Sequence, residues 1–142
     1  MLTAKRCTTC NAATPRIEGE NARVLLREIP GFELDESATQ IARTFQFTNF
    51  YETMAFVNAL AYVAHREDHH PELEVSYKTC RVTFSTHANG GLSENDFICA
   101  AKANALKSQR ADLSSAVALL IPPGAAWAAR KFVTLWPLRG PR

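Results

Sequence analysis

Three of the chain's four histidines, His65, His69 and His70, fall within six residues, and the fourth, His87, follows after a segment that alternates like a β-hairpin. Imidazole, with an unperturbed pKa of about 6.5, gives and takes protons near neutrality, so several gathered in one place suit general acid–base catalysis. No serine or cysteine stands in a recognisable nucleophile motif and no glycine-rich phosphate loop is present, so acyl transfer and nucleotide chemistry have no support. A metal site is the rival reading. His65 and His69 are spaced i, i+4 at the end of a helical stretch, where two imidazoles can face one cation, and His87 could be a third ligand. The run His65 to His69 nevertheless fits neither H-E-x-x-H nor H-x-x-E-H, and no metal is expected. Taken singly, His65 reads as a solvated helix residue and Asp96 as a helix cap. The pair His69-His70 before Pro71, opposed by His87, is not explained in that way.

The elements that must position these side chains follow from periodicity. Leu73, Val75 and Tyr77 alternate with Glu72, Glu74 and Ser76, then Cys80, Val82 and Phe84 with Arg81, Thr83 and Ser85, the pattern of two half-buried strands. With both apolar sets on one core, Leu73 faces Phe84, Val75 faces Val82, Tyr77 faces Cys80 and Lys78-Thr79 forms the turn; carried outward, the register sets His70 opposite His87. Upstream, Phe50, Met54, Val57, Ala61 and Ala64 form a helical stripe behind the cap candidates Thr48-Asn49, with Glu52 placed as in a capping box. Pro71 is expected to end that helix by forcing His70 into an extended conformation.

Before it, Glu18 to Ile29 reads as a short helix stopped by Pro30-Gly31, and Phe32 to Leu34 pairs across the turn at Asp35-Glu36-Ser37 with Ile41 to Phe47. After the hairpin, Ser93 and Asp96 make a capping-box pattern for a third helix from about Leu92 to Lys107. The expected order is α-β-β-α-β-β-α: an α+β fold, a four-stranded antiparallel sheet with helices on one face. Residues 1–16 read as an N-terminal arm, 17–107 as the domain, and 108–142 as a proline-rich tail that either extends the third helix or is disordered. The strand Thr79 to Thr86 holds no proline or lysine to block edge pairing, so a homodimer or homotetramer is expected.

Lysine plus arginine number 16 and aspartate plus glutamate 14, a net charge of +2 that leaves no footprint for nucleic acid and points to a small-molecule substrate. No apolar run has the length of a signal peptide or membrane span, so the expected location is the cytoplasm, with no membrane partner. Cys80 and Cys99 then read as thiols in the core, and Cys7-Thr8-Thr9-Cys10 as half of a zinc-ribbon spacing on a frayed arm.

The motif His69-His70-Pro71, Tyr77, Ser85-Thr86-His87 and Asp96 at the end of Gly91-Leu92-Ser93-Glu94-Asn95-Asp96 resembles the pterin-4a-carbinolamine dehydratases over Ile17 to Lys107, and the Cys7 to Cys10 arm is similar to that of bacterial members. Leu73 stands where many members have tryptophan, and His65 where an acid is common. The resemblance implies dehydration of 4a-hydroxytetrahydropterin to quinonoid dihydropterin in tetrahydropterin recycling, serving an aromatic amino acid hydroxylase, with no cofactor beyond the pterin substrate. It also implies roles: His69 and His87 as general acid and base, His70 as the residue that binds and orients the pterin, Asp96 as the group holding an imidazole, and Asp68, Ser85, Thr86 and Ala88 as pocket lining. The same resemblance leaves open a second class of function, a non-catalytic dimerisation partner, scaffold or transcriptional coactivator; retention of the three pocket histidines favours catalysis.

Overall fold

The computed structural model describes residues 1–120, with side chains through Ser108. Met1–Ser108 form one compact unit, with the elements α1 (Gly19–Leu26), β1 (Glu33–Leu34), β2 (Ile41–Gln46), α2 (Phe50–Glu67), β3 (Glu72–Val75), β4 (Thr79–Phe84) and the start of α3, a helix that spans Glu94–Leu120 and so continues past Ser108. The strands form one antiparallel sheet in the order β1-β2-β4-β3, the α-β-β-α-β-β-α fold expected from the pattern. Helix α3 passes the expected end at Lys107 and runs to Leu120, so the first part of the tail is helical; the rest of the tail, residues 121–142, lies outside the described residues.

Alternation builds the core. Ile41 and Phe45 of β2 and Cys80, Val82 and Phe84 of β4 turn one way and are fully buried, while Thr44, Gln46 and Arg81 turn to the other, exposed face. Helix α3 lays Phe97, Ile98, Ala100 and Ala103 on the apolar face, and Phe45 and Phe47 pack on Phe56 of α2 at ring-centroid distances of 4.7 and 5.2 Å. Arg43 shares that face at its margin: its guanidinium lies over the Phe45 ring and donates to Pro30 O and Asn104 Oδ1, each at 2.7 Å. Gly31, at φ +85°, passes beneath it, and a Cβ there would stand 2.8 Å from Arg43 Cζ.

The buried face of α2 is not the expected stripe. Thr53, Phe56, Leu60 and Ala64 are buried, whereas Phe50 and Ala61 are exposed. A threonine can occupy the core because its hydroxyl lies 3.1 Å from Asn49 O and 3.0 Å from Tyr77 O and is satisfied there. The helix start is as expected: Asn49 Oδ1 accepts from Glu52 N at 2.9 Å, and the Glu52 carboxylate reaches back to Thr48 N at 3.1 Å.

The hairpin register is corrected by two residues. Leu73 pairs with Val82 and Val75 with Cys80, so the turn is Tyr77-Lys78, closed by Ser76 N donating to Thr79 O at 2.9 Å. Tertiary contacts select it, since Tyr77 O accepts from Thr53 and Lys78 O from Phe47 N at 2.8 Å. A shift of two keeps each side chain on its face, but it moves Tyr77 out of the core to an exposed turn, stacked on Phe50 at 6.1 Å. Strand β4, offered by the sequence as an edge, lies inside the sheet between β2 and β3; the edges are β1 and β3.

The arm, expected to fray, is held. Leu2 sits in a 3₁₀ turn and is buried, Lys5 pairs with Glu94, and Ile17 N donates to Leu92 O at 2.8 Å. Cys80 and Cys99 are buried thiols, as expected.

Between β1 and β2, Asp35 accepts from Thr39 N at 2.8 Å, Gln40 N at 2.9 Å and the Ser37 hydroxyl. Burial alone would raise its pKa; the bonds from Ser37, Gln40 and Thr39 outweigh it and lower the value from 3.8 to about 2. A carboxylate depressed in the folded state contributes stability that is complete above its ordinary pKa and is lost as pH falls through the folded one. The melting-temperature difference between wild type and Asp35→Asn should therefore be constant above about pH 4 and shrink from there to about pH 2; a difference independent of pH across that window would contradict the assignment.

Candidate active site

The site starts where α2 stops. Asp68 adopts the left-handed conformation (φ 50°, ψ 40°), with Asp68 N donating to His65 O at 3.3 Å and His69 N to Ala64 O at 3.2 Å, the paired bonds of a Schellman stop. The helix thus ends at Asp68, three residues ahead of Pro71, and not through the proline's effect on His70. His69 is already outside the helix, so His65, exposed on its side, does not share a helical face with it. Among the described residues no group of three His, Cys, Asp or Glu side chains is arranged to hold a metal ion.

His69 turns inward and is 7% exposed, its ring nearly parallel to that of Phe84 at 6.1 Å and its Nε2 2.7 Å from Asp96 Oδ1. Asp96 is fully buried and lies in the first turn of α3. Its Oδ2 accepts from Ser93 N at 2.7 Å, the capping bond anticipated from the sequence, and from Thr86 Oγ1 at 2.7 Å. Since the Thr86 hydroxyl spends its one hydrogen on the carboxylate, the Ser93 hydroxyl, also 2.7 Å away, donates to Thr86. A ring nitrogen facing a carboxylate oxygen that accepts only must carry the hydrogen, so in the neutral form of the ring Nε2 is the protonated nitrogen and Nδ1 keeps the lone pair.

Thr86 also closes the loop that carries His87. Thr86 N donates to Gly91 O at 2.7 Å, and between these residues a 3₁₀ turn, His87–Asn89, ends at Gly90 with φ 68°. One anchored threonine therefore fixes the position of His87 relative to the buried carboxylate.

Asp68, His69, His70, Ser85, Thr86, His87 and Ala88 line one open pocket of about 240 Å³. His70 does not pair with His87 across the strands as the sequence register had it, because β3 begins only at Glu72; the two share the pocket nonetheless. Asp96 lies behind it, reaching it through His69 and Thr86. His65 and Tyr77 are not among its lining residues. The lining residue that the sequence reading missed is Cys10, brought in by an arm whose own sequence carries no periodicity. Its seat is legible only from the far side, where Asn95 and Glu67 present side chains to arm residues.

A small α+β domain thus holds a buried carboxylate–imidazole pair beneath an open pocket with two further histidines, groups that are chemically able to give and take protons. The family model for pterin 4 alpha carbinolamine dehydratase matches residues 15–106, and the chain belongs to that family. It is 54% identical over 106 residues to a protein of Nitrosomonas europaea (74% of this chain, 92% of the relative) and 53% identical over 108 residues to one of Stenotrophomonas maltophilia (76% and 93%), each named "Putative pterin-4-alpha-carbinolamine dehydratase". Among solved structures it resembles a transcriptional coactivator/pterin dehydratase from Brucella melitensis, with a TM-score of 0.63 and 32% identity, covering 65% of this chain and 98% of that one.

Proposed function

We propose that the chain dehydrates 4a-hydroxytetrahydropterin to quinonoid dihydropterin and water, with the histidine pocket supplying the proton transfers. The observation that carries this reading is the His69–Asp96 pair at 2.7 Å under a pocket shared with His70 and His87. The reaction breaks the C4a–O bond and an N–H bond and forms a C=N double bond. The hydroxyl leaves as water once protonated, and the ring nitrogen gives up its proton, so electrons and atoms balance with no redox step. His69, its Nε2 committed to Asp96, offers Nδ1 as the base for the ring N–H. Exposed His87, on the loop closed by the Thr86–Gly91 bridge, protonates the leaving hydroxyl. His70 binds and orients the heterocycle, with Asp68, Ser85, Thr86 and Ala88 around it. Each positioned acid or base is worth about 10² to 10⁴ in rate.

The substrate is the product of an aromatic amino acid hydroxylase, which places this chain beside such an enzyme in tetrahydropterin recycling. Among the described residues no helix is long and apolar enough to cross a membrane. Binding of 7,8-dihydropterin, followed by its fluorescence, tests the pocket assignment: saturable binding in wild type, weakened in His70→Ala, is expected, and absence of binding in wild type contradicts it.

The assembly we propose is a twofold homo-oligomer, dimer or tetramer, joined through the β3 edge, because among the described residues the two edge strands are β1, only two residues long, and β3, four residues long. Light scattering should give a mass at least twice 15.7 kDa; a monomer at micromolar concentration would refute it.

A further inference from the structure

Asn95 stands next to Asp96 on α3, is 3% exposed, and points to the arm. Its Oδ1 accepts from Thr8 N at 3.1 Å, while its Nδ2 donates to Thr8 O at 2.7 Å and to Cys10 Sγ at 3.0 Å. Both amide hydrogens and one lone pair of the amide oxygen are thereby used, so no polar atom of the buried amide is left without a partner. The same stretch is pinned on its other side by Glu67, which accepts from Cys7 N at 2.9 Å and from Lys102 Nζ at 2.7 Å. Burial pushes the Glu67 pKa up, but the bonds from Lys102 and Cys7 and the charge of Arg6 leave it lowered, so the anchor is a carboxylate. An arm meant only to cover the core needs neither anchor to be polar and buried. What the anchors achieve is the placement of Cys10 in the lining of the pocket that holds His69, His70 and His87.

We infer that the N-terminal arm is part of the substrate site and that Asn95 is the positioning residue that seats it. By gripping Thr8 from both sides and Cys10 by its sulfur, Asn95 makes the arm a wall against which the flat heterocycle packs. The polarizable sulfur suits a π face, and contact made equally in ground and transition states affects affinity and leaves the proton transfers alone. This inference rests on the pterin reading of the pocket.

Alkylation by N-ethylmaleimide, mapped by peptide mass, tests it in the full chain. Cys80 and Cys99 are buried, with thiol pKa values raised, by burial at Cys80 and by contact with Cys7 and burial at Cys99, so they should be spared. With 7,8-dihydropterin at ten times its Kd, labelling of Cys10 should slow about tenfold, as mass action requires of a site covered by ligand. Asn95→Ala should raise KM about tenfold, and Cys10→Ala about threefold, with kcat within about twofold and the pH profile unmoved, the signature of lost uniform binding. Undiminished labelling of Cys10 while fluorescence shows the pterin bound would overturn the inference and leave the arm a cover. Failure of the pterin to bind at all would remove the pocket reading and this inference with it. Should Asn95→Ala not fold, the protection of Cys10 in the wild-type chain still decides.

Discussion

Asp96→Asn is expected to fold and to lose about 10² to 10⁴ of kcat, because one oxygen-to-amide change inverts the tautomer of His69. The amide oxygen can still accept from Ser93 N and Thr86 Oγ1, which hold Oδ2 at 2.7 Å. The NH₂ group then faces His69 Nε2, where a ring N–H can no longer be accommodated. Nε2 must become the acceptor, Nδ1 takes the hydrogen, and the lone pair assigned to the base is gone. Asp96→Ala is expected to behave differently. It leaves the buried Ser93 N–H, the Thr86 hydroxyl and the His69 ring N–H without their acceptor, and at about 1 to 3 kcal/mol for each unsatisfied donor, eased by entry of water, the loss should reach roughly 3 to 5 kcal/mol. Against a total of about 5 to 15 kcal/mol for a domain, that brings the variant close to unfolding. Denaturant titration separates the two: a large midpoint shift for alanine, a small one for asparagine. An asparagine variant with full turnover would show that the carboxylate only caps α3.

His87→Ala should lower kcat by a similar factor, about 10² to 10⁴, with the melting temperature nearly unchanged. The side chain is exposed, it fills no cavity, and the loop beneath it is closed by backbone bonds from Thr86 to Gly91 that the substitution leaves intact. Removal of a general acid also has a kinetic mark that removal of a binding group lacks. Hydronium can protonate the leaving hydroxyl in its place, so the deficit of His87→Ala should narrow as pH is lowered. A deficit that appears in KM alone would transfer His87 to a binding role.

The strands and helices were legible because period-2 and period-3.6 patterns survive wherever one face is buried: Ile41, Phe45, Cys80, Val82 and Phe84 needed no tertiary information to be placed in the core. The errors arose where a tertiary hydrogen bond overrides the pattern. Thr53 is polar and buried because Asn49 O and Tyr77 O satisfy it, and Tyr77 is apolar in the strand pattern yet leaves the core because its carbonyl serves Thr53 and its ring stacks on Phe50. The same contacts move the hairpin turn by one position and the register by two. Asp68 ends α2 in a left-handed conformation usual for glycine, a choice that a reading centred on Pro71 passes over.

Within the candidate site, Asp68, Ser85, Thr86 and Ala88 were named from the family resemblance alone, and the structure brings them together on the lining of one pocket. Asp96 could be read as a cap from Ser93, and it is one; that the same carboxylate also takes His69 and Thr86 depends on how the start of α3 meets the end of β4, which no local pattern encodes. The arm was misjudged for the same reason. Its residues lack periodicity, and what orders them is carried by Asn95, Glu67 and Glu94, far away in sequence.

Catalysis of pterin dehydration by this histidine pocket is measured by generating 4a-hydroxytetrahydropterin and following its conversion to quinonoid dihydropterin by absorbance with and without the purified chain. The rate should be proportional to enzyme concentration, well above the spontaneous one, and lost in His87→Ala and Asp96→Asn preparations that remain folded. A rate equal to the spontaneous dehydration, from wild-type protein that binds 7,8-dihydropterin, would contradict it.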